Sequence, residues 1–171
     1  MTAAPTLIAP TPPADKTLRN VLTADVKVKV SSGTTKDAKC MLDGTPETCW
    51  TSDSLAPNSD PSSAHYLLSF KLAHPLALSE LHSLALTFAG GFSPTSLSIL
   101  ASETDGKTWF PLATDLFPND TNAKQYFDLS ALARGADAQH ASWLRFELTG
   151  STDDYGRVTI YQAEVFAAVG S

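Results

Sequence analysis

The sequence predicts an all-β fold, an antiparallel β-sandwich of the jelly-roll type with little helix, and three observations predict it. Apolar residues recur with a two-residue period in segment after segment, the spacing that puts one set of side chains on one face of a strand. Clusters of Gly, Pro, Asn, Asp and Ser separate those segments. Helical periodicity is nearly absent, and many short strands with regular turn signals fold as a sandwich or barrel. With 171 residues and 43% hydrophobic content, the chain can bury one core without disulfides or metals.

Taken in order, residues 1–19 carry Pro5, Pro10, Pro12 and Pro13 among alanines and threonines, a composition that stays extended and solvated, and are expected to form a flexible tail. The folded domain is expected over 20–168, with 169–171 as a short C-terminal tail. Val26-Lys27-Val28-Lys29-Val30 alternates β-branched and cationic residues, which places valines on one face of a strand and ammonium groups on the other. The same period runs through Tyr66, Leu68 and Phe70; Leu84, Leu86 and Phe88; Leu97 and Ile99; Leu144, Phe146 and Leu148; and Val158 and Ile160. Loops are expected at 31–33, 52–63, 90–94, 118–122 and 150–156. A helical turn or two is expected from Leu129 to Arg134, opened by Asp128 or Ser130 and stopped by Gly135. The chain contains no internal repeat.

Composition also excludes functions. Charged residues make up 18% of the chain, and 18 acidic against 12 basic residues give a net charge of -6 without a lysine or arginine cluster. Direct nucleic-acid binding, which needs a positive footprint, is therefore not expected. No apolar run reaches the ~20 residues that cross a bilayer, and Met1 to Pro13 lacks a basic segment followed by an apolar one. The expectation is a soluble intracellular protein, not secreted and not in a membrane, placed in the cytoplasm or nucleus, with the cilium as a further compartment. Cys40 and Cys49 are too few for a disulfide framework and read as free thiols. Asn119-Asp120-Thr121 is formally a glycosylation acceptor, but without a secretory signal it reads as coincidence.

Two stretches narrow the class. Leu42-Asp43-Gly44-Thr45-Pro46-Glu47-Thr48-Cys49-Trp50-Thr51-Ser52 holds a tight Asp-Gly turn, in which glycine takes a positive φ, with Trp50 as a large apolar plug beneath it. Ala101-Ser102-Glu103-Thr104-Asp105-Gly106-Lys107-Thr108-Trp109 carries Asp105-Gly106, the favoured loop of a two-residue hairpin. Both stretches resemble discoidin signatures, and Arg157 to Phe166 resembles the closing strand of discoidin and coagulation-factor type C domains, which are galactose-binding-like sandwiches. The resemblance spans residues 20–168. In addition Glu47 to Asp53, Gly90-Gly91-Phe92-Ser93, Phe117 to Asn122 and Tyr155 to Tyr161 resemble, in order, the testicular receptor 4-associated proteins, a small family of nuclear-receptor-associated single discoidin-like domains. The Pro-rich start and a longer loop from Ser54 to Ala64 depart from that family's pattern. The resemblance implies a non-catalytic role, since the family's described activity is binding an orphan nuclear receptor and repressing its access to DNA.

Discoidin-like domains often carry one structural calcium ion, and the resemblance would assign it Asp43 and Thr48 side chains, nearby carbonyls and Glu164. Hard oxygen ligands suit that ion. The alternative is that Asp43 caps its own turn, Thr48 bonds to backbone and Glu164 faces solvent. For partner binding the candidates are Phe92, Asp154, Tyr155 and Arg157. Phe92 follows two glycines and reads either as an exposed anchor or as a plug under its loop. Tyr155 and Arg157 are residue types enriched at binding hot spots, and their other reading is an ion pair from Arg157 to Asp153 or Asp154 that holds the loop.

No catalytic residue is assigned. His65, His74, His82 and His140 lack metal-ligand spacing, no serine sits in a nucleophile elbow, and there is no phosphate loop or zinc pattern. The expected function is a protein-binding adaptor that works through the loops at one end of a sandwich. Two rivals stand beside it: a structural subunit of a cytoskeletal or ciliary assembly, and a carbohydrate-binding module.

Overall fold

The computed structural model describes residues 5–130 and 139–170. Among these, ten strands form two five-stranded antiparallel sheets, the expected β-sandwich. The first sheet runs in the order β1 (Lys16–Asn20), β10 (Thr159–Gly170), β5 (Leu81–Phe88) and β8 (Gln125–Asp128), with β3 (Trp50–Thr51) also pairing with β10. The second runs β2 (Lys27–Val30), β4 (His65–Ala77), β9 (His140–Thr149), β6 (Ser96–Ser102) and β7 (Phe110–Leu116).

The two-residue period decides what each strand buries. In β9, Leu144, Phe146 and Leu148 are fully buried while Trp143, Arg145 and Glu147 between them stay partly exposed. Val28 likewise enters the core between exposed Lys27 and Lys29. Phe70 of β4 and Phe146 of β9 meet with ring centroids 5.0 Å apart and planes tilted by 57°. Such a pair contributes about 0.5–1.5 kcal/mol beyond its area burial. β10 ties the first sheet together, bonding β1 and β3 along one edge and β5 along the other.

Three expectations change. The tail boundaries at 19 and 169 fall inside the sheet, because Lys16 pairs with Gly170 and Asn20 with Phe166 along the β1–β10 edge. Lys16 to Asn20 contains no proline, so every backbone group is free to join a ladder whatever the side chains suggest. Upstream, Thr6 and Tyr126 exchange two backbone hydrogen bonds of 2.9 and 2.8 Å, which lays part of the Pro-rich segment along β8. The second change is at Asp105-Gly106, where β6 ends at Ser102 and β7 starts at Phe110, so the connection is longer than a two-residue hairpin. Asp105 organises it by accepting from the N–H groups of Lys107 (2.8 Å) and Thr108 (3.0 Å). Those bonds, Thr108 first, hold its carboxyl pKa down to about 2.

The third concerns helix. The turn expected from Leu129 to Arg134 lies mostly outside the described residues; of it, Ser130 N donates to Asp128 Oδ1 at 2.9 Å. An unexpected short helix, α1 (Thr35–Lys39), follows β2. Its signal is Thr34 with Asp37 three residues on, and Thr34 Oγ1 accepts from Asp37 N at 3.1 Å.

Trp50 is fully buried and its indole N–H donates to Ser32 O at 3.1 Å. Gly33 (φ +76°) makes room for it: a Cβ there would lie 2.6 Å from Trp50 Nε1 and 2.7 Å from Thr51 O. Gly44 has the same φ of +76° but open space around the Cβ position. Gly44→Ala is therefore expected to cost about 1–2 kcal/mol from backbone strain alone. Gly33→Ala adds an overpacking cost of about 1–3 kcal/mol on top. Urea denaturation of the two variants measures the difference.

Candidate functional site

Loops from four connections converge at one end of the sandwich. The 90–94 loop between β5 and β6 is clamped by Asp120 from the β7–β8 connection, whose Oδ1 accepts from Gly91 N (2.8 Å) and Ser93 Oγ (2.9 Å). Asn122 Oδ1 takes Gly90 N at 2.6 Å. Thr152, in the β9–β10 connection, completes the junction: Ser93 N donates to Thr152 Oγ1 at 3.0 Å, and Thr152 N donates to Ser93 O at 2.9 Å. Leu55 N donates to Tyr155 O at 2.9 Å, which joins the 52–63 loop to the cluster.

Arg157 sits at the centre. Its Nε donates to Asp153 Oδ2 at 2.9 Å and its Nη2 to Oδ1 at 3.4 Å, while its backbone N–H also reaches Oδ2 at 3.1 Å. The guanidinium carbon lies 5.2 Å from the Phe92 ring centroid and 5.5 Å from that of Tyr155. The side-chain bond from Arg157 is the main cause holding the Asp153 carboxyl below its ordinary pKa, and the same bond raises that of Arg157. Three of the four sequence candidates thus stand together. Phe92 is half-buried beneath Arg157, and Tyr155 is 66% exposed. Asp154 is exposed beside them, and the ion pair that holds the loop uses Asp153. The ion-pair and hot-spot readings coexist, because the pair fixes the arginine that the aromatics flank.

Asp120, Asn122, Ser93 and Thr152 are not among the sequence-predicted site residues, although all but Thr152 lie in stretches that carry the family resemblance. The first two sit in the stretch Phe117 to Asn122, where turn-forming residues are ordinary, and nothing local points toward the paired glycines. The formal acceptor Asn119 is itself held in the junction, its N–H donating to Gln125 Oε1 at 2.8 Å and its carbonyl accepting from Gln125 Nε2 at 3.0 Å.

The residues assigned to calcium divide. Asp43 Oδ2 accepts from Thr48 Oγ1 at 2.6 Å and Oδ1 from Thr45 N at 2.9 Å, so these two do meet, within their own turn. Glu164 lines a cleft with Met41, Leu42, Gly44 and Lys124, so the cleft adjoins the Asp43 turn, and its Oε1, shielded from solvent, is paired with the Lys124 ammonium. Calcium takes about 6–8 oxygen ligands, and the two carboxylates assigned to it are already engaged, Asp43 by Thr48 and Glu164 by Lys124. As folded, the Glu164 carboxylate fits the lysine it already holds rather than a metal ion.

Solved β-sandwich modules share this fold. A family 32 carbohydrate-binding module of Clostridium perfringens NanJ, solved with galactose, superposes with a TM-score of 0.64 at 16% identity, over 88% of this chain and 99% of that one. A chitosan-binding module of a Paenibacillus chitosanase/glucanase gives 0.62 at 16% identity, over 86% and 98%. No protein-family profile matches the chain. The nuclear receptor 2C2-associated protein of Xenopus laevis is 32% identical over 151 residues, covering 85% of this chain and 96% of that protein, and the chain therefore belongs to this family. The Danio rerio protein of the same name is 29% identical over 142 residues, covering 80% and 87%. No helix among the described residues is long and apolar enough to cross a membrane.

Because the folded pKa of Asp153 lies below its unfolded value, its pairing contributes stability above the ordinary carboxylate range, and that contribution is lost as pH falls through the folded pKa. Asp153→Asn is expected to lower the melting temperature near pH 7 and to flatten its fall below about pH 4; thermal melts across that range check both. Calcium added to a chelator-stripped sample is expected to leave the melting temperature of the natural chain unchanged.

Proposed function

We propose that the protein is a non-catalytic binding module that engages a protein partner through Phe92, Asp154, Tyr155 and Arg157. The observation that carries this reading is Tyr155, a large aromatic left 66% exposed on a loop that is otherwise pinned by hydrogen bonds on every side. A rigid aromatic beside an arginine already stacked and paired loses little side-chain freedom on binding, and these residue types dominate interface hot spots. The name of the family supports a protein ligand, since its members are called nuclear receptor 2C2-associated. Nuclear receptor 2C2 is accordingly the first partner to test, and cytoplasm and nucleus are the compartments such a partner implies.

A second reading rests on the solved structures of the same fold, one of which holds galactose. An exposed tyrosine at the loop end is also a surface on which a sugar ring can stack. A single set of variants separates the two. Tyr155→Ala with Arg157→Ala is expected to weaken capture of purified nuclear receptor 2C2 by at least about tenfold in biolayer interferometry, the loss of a modest hot spot. A glycan array probed with the natural chain is expected to remain silent; a strong galactoside signal abolished by Tyr155→Ala, with receptor capture unchanged, would establish the sugar reading instead.

A further inference from the structure

The outer face of the second sheet takes no part in the loop cluster, yet it gathers unusual residues. The strand registers place Lys27 of β2 opposite Lys71 of β4, and Lys71 opposite Trp143 of β9. In the adjoining row Lys29 stands opposite Ser69, and Ser69 opposite Arg145. Directly opposed residues share a face, so three lysines, an arginine and an indole occupy one patch. Trp109, entering from the β6–β7 loop, meets Trp143 edge-on with centroids 6.4 Å apart and an angle of 79°. The Arg145 guanidinium carbon lies 4.0 Å from the Trp109 centroid, and Lys29 Nζ lies 5.5 Å from that of Trp143. Arg145 Nε donates to Ser69 Oγ at 2.8 Å. Gly106 lies against the Trp143 indole, since a Cβ there would come within 2.6 Å of its ring.

The Trp109 face and the Ser69 hydroxyl hold Arg145, to which the Glu147 carboxylate adds attraction, and Lys29 lies over the Trp143 face. No acidic side chain lies within ion-pair distance of Lys27, Lys29 or Lys71 among the described residues. Glu147, which follows Arg145 on the same face, is paired with His65 at 3.0 Å. Lys27 against Lys71 is a like-charge pair directly across a ladder, which is destabilising. The strand pattern requires only polar residues outward, so the fold does not ask for this repulsion. In a chain of net charge -6, concentrating positive charge around two pre-oriented indoles is what recognition of an anion would require.

We propose that this sheet face is a second docking surface, distinct from the loop end, whose occupant is an acidic polypeptide segment with interspersed apolar residues. Its carboxylates would meet Lys27, Lys29 and Lys71, and its apolar side chains would lie on Trp143 and Trp109. A densely charged polyanion fits less well, because its long-range field is repelled by the negative charge of the rest of the chain.

The test uses the full chain and a fluorescein-labelled peptide alternating glutamate with leucine, read by fluorescence anisotropy at low and at physiological salt. Binding is expected, weaker at higher salt, and reduced by at least about tenfold in Lys27→Gln/Lys71→Gln. The matched peptide with glutamine for glutamate is expected not to bind. Lys71→Glu places opposite charges across the ladder, so it is expected to lower the affinity while holding or raising the melting temperature, which a merely structural role for Lys71 would not do. The proposal is overturned if the natural chain ignores the glutamate peptide at low salt, or if the glutamine peptide binds equally well. It is also overturned if the double variant binds undiminished, or if a heparin fragment binds in preference to the peptide.

Discussion

The burial of Trp50 is the constraint on which most of this structure depends. Its indole is fully enclosed, bonded to Ser32 O, and met edge-on by Tyr66 at 6.3 Å between centroids. The Tyr66 hydroxyl in turn donates to the carbonyl of Gly156 at 2.5 Å, with the Asp53 carbonyl 3.3 Å away. One side chain therefore couples the 31–33 turn, the short β3, strand β4 and the loop that carries Tyr155 and Arg157. Removing an aromatic of this size from a core costs about 3–5 kcal/mol. The loop end would also lose the floor against which its backbone is set. Gly33 belongs to the same constraint, because only a residue without a Cβ lets the chain pass so close to the indole.

The loop end is ordered by backbone donors reaching side-chain acceptors that come from elsewhere in the chain. Asp120 and Asn122 take the N–H groups of both paired glycines, and Ser151 Oγ donates to Arg157 O at 2.6 Å. Each bond contributes only about 1 kcal/mol, more where a carboxylate accepts, but together they leave few ways for these loops to rearrange. That rigidity is what makes an exposed tyrosine meaningful. An aromatic on a wandering loop must be ordered when it binds, whereas one on a pinned loop is ready. The sheet face with Trp109, Trp143 and Arg145 is ordered by a different means, stacking of rings and cations on paired strands.

Much of the fold was legible in the sequence because a strand's period is a local property. The alternation in Val26 to Val30 assigned inward and outward faces correctly, and the Asp43-Gly44 turn with Trp50 after it could be read as turn and plug. Failures came where pairing is decided by a distant partner. Lys16 to Arg19 looks like tail, and becomes strand because β10 offers it a free edge. Asp105-Gly106 has the residues of a tight hairpin, but the Asp105 carboxylate captures two amides and opens the connection into a larger loop.

The sequence by itself determined the class of fold, the family, and three of the aromatic and charged residues that meet at the loop end. These follow from side-chain alternation, from turn chemistry and from short motifs, all of which act within a few residues. Tertiary structure alone decided which residues hold that site together and where charge collects. Asp120 reaches Gly91 across 29 positions, Glu164 faces Lys124, and Lys27 faces Lys71, and no local pattern encodes such pairings. They arise because antiparallel ladders bring remote segments into register, and the energy of a contact depends on the neighbour that arrives there.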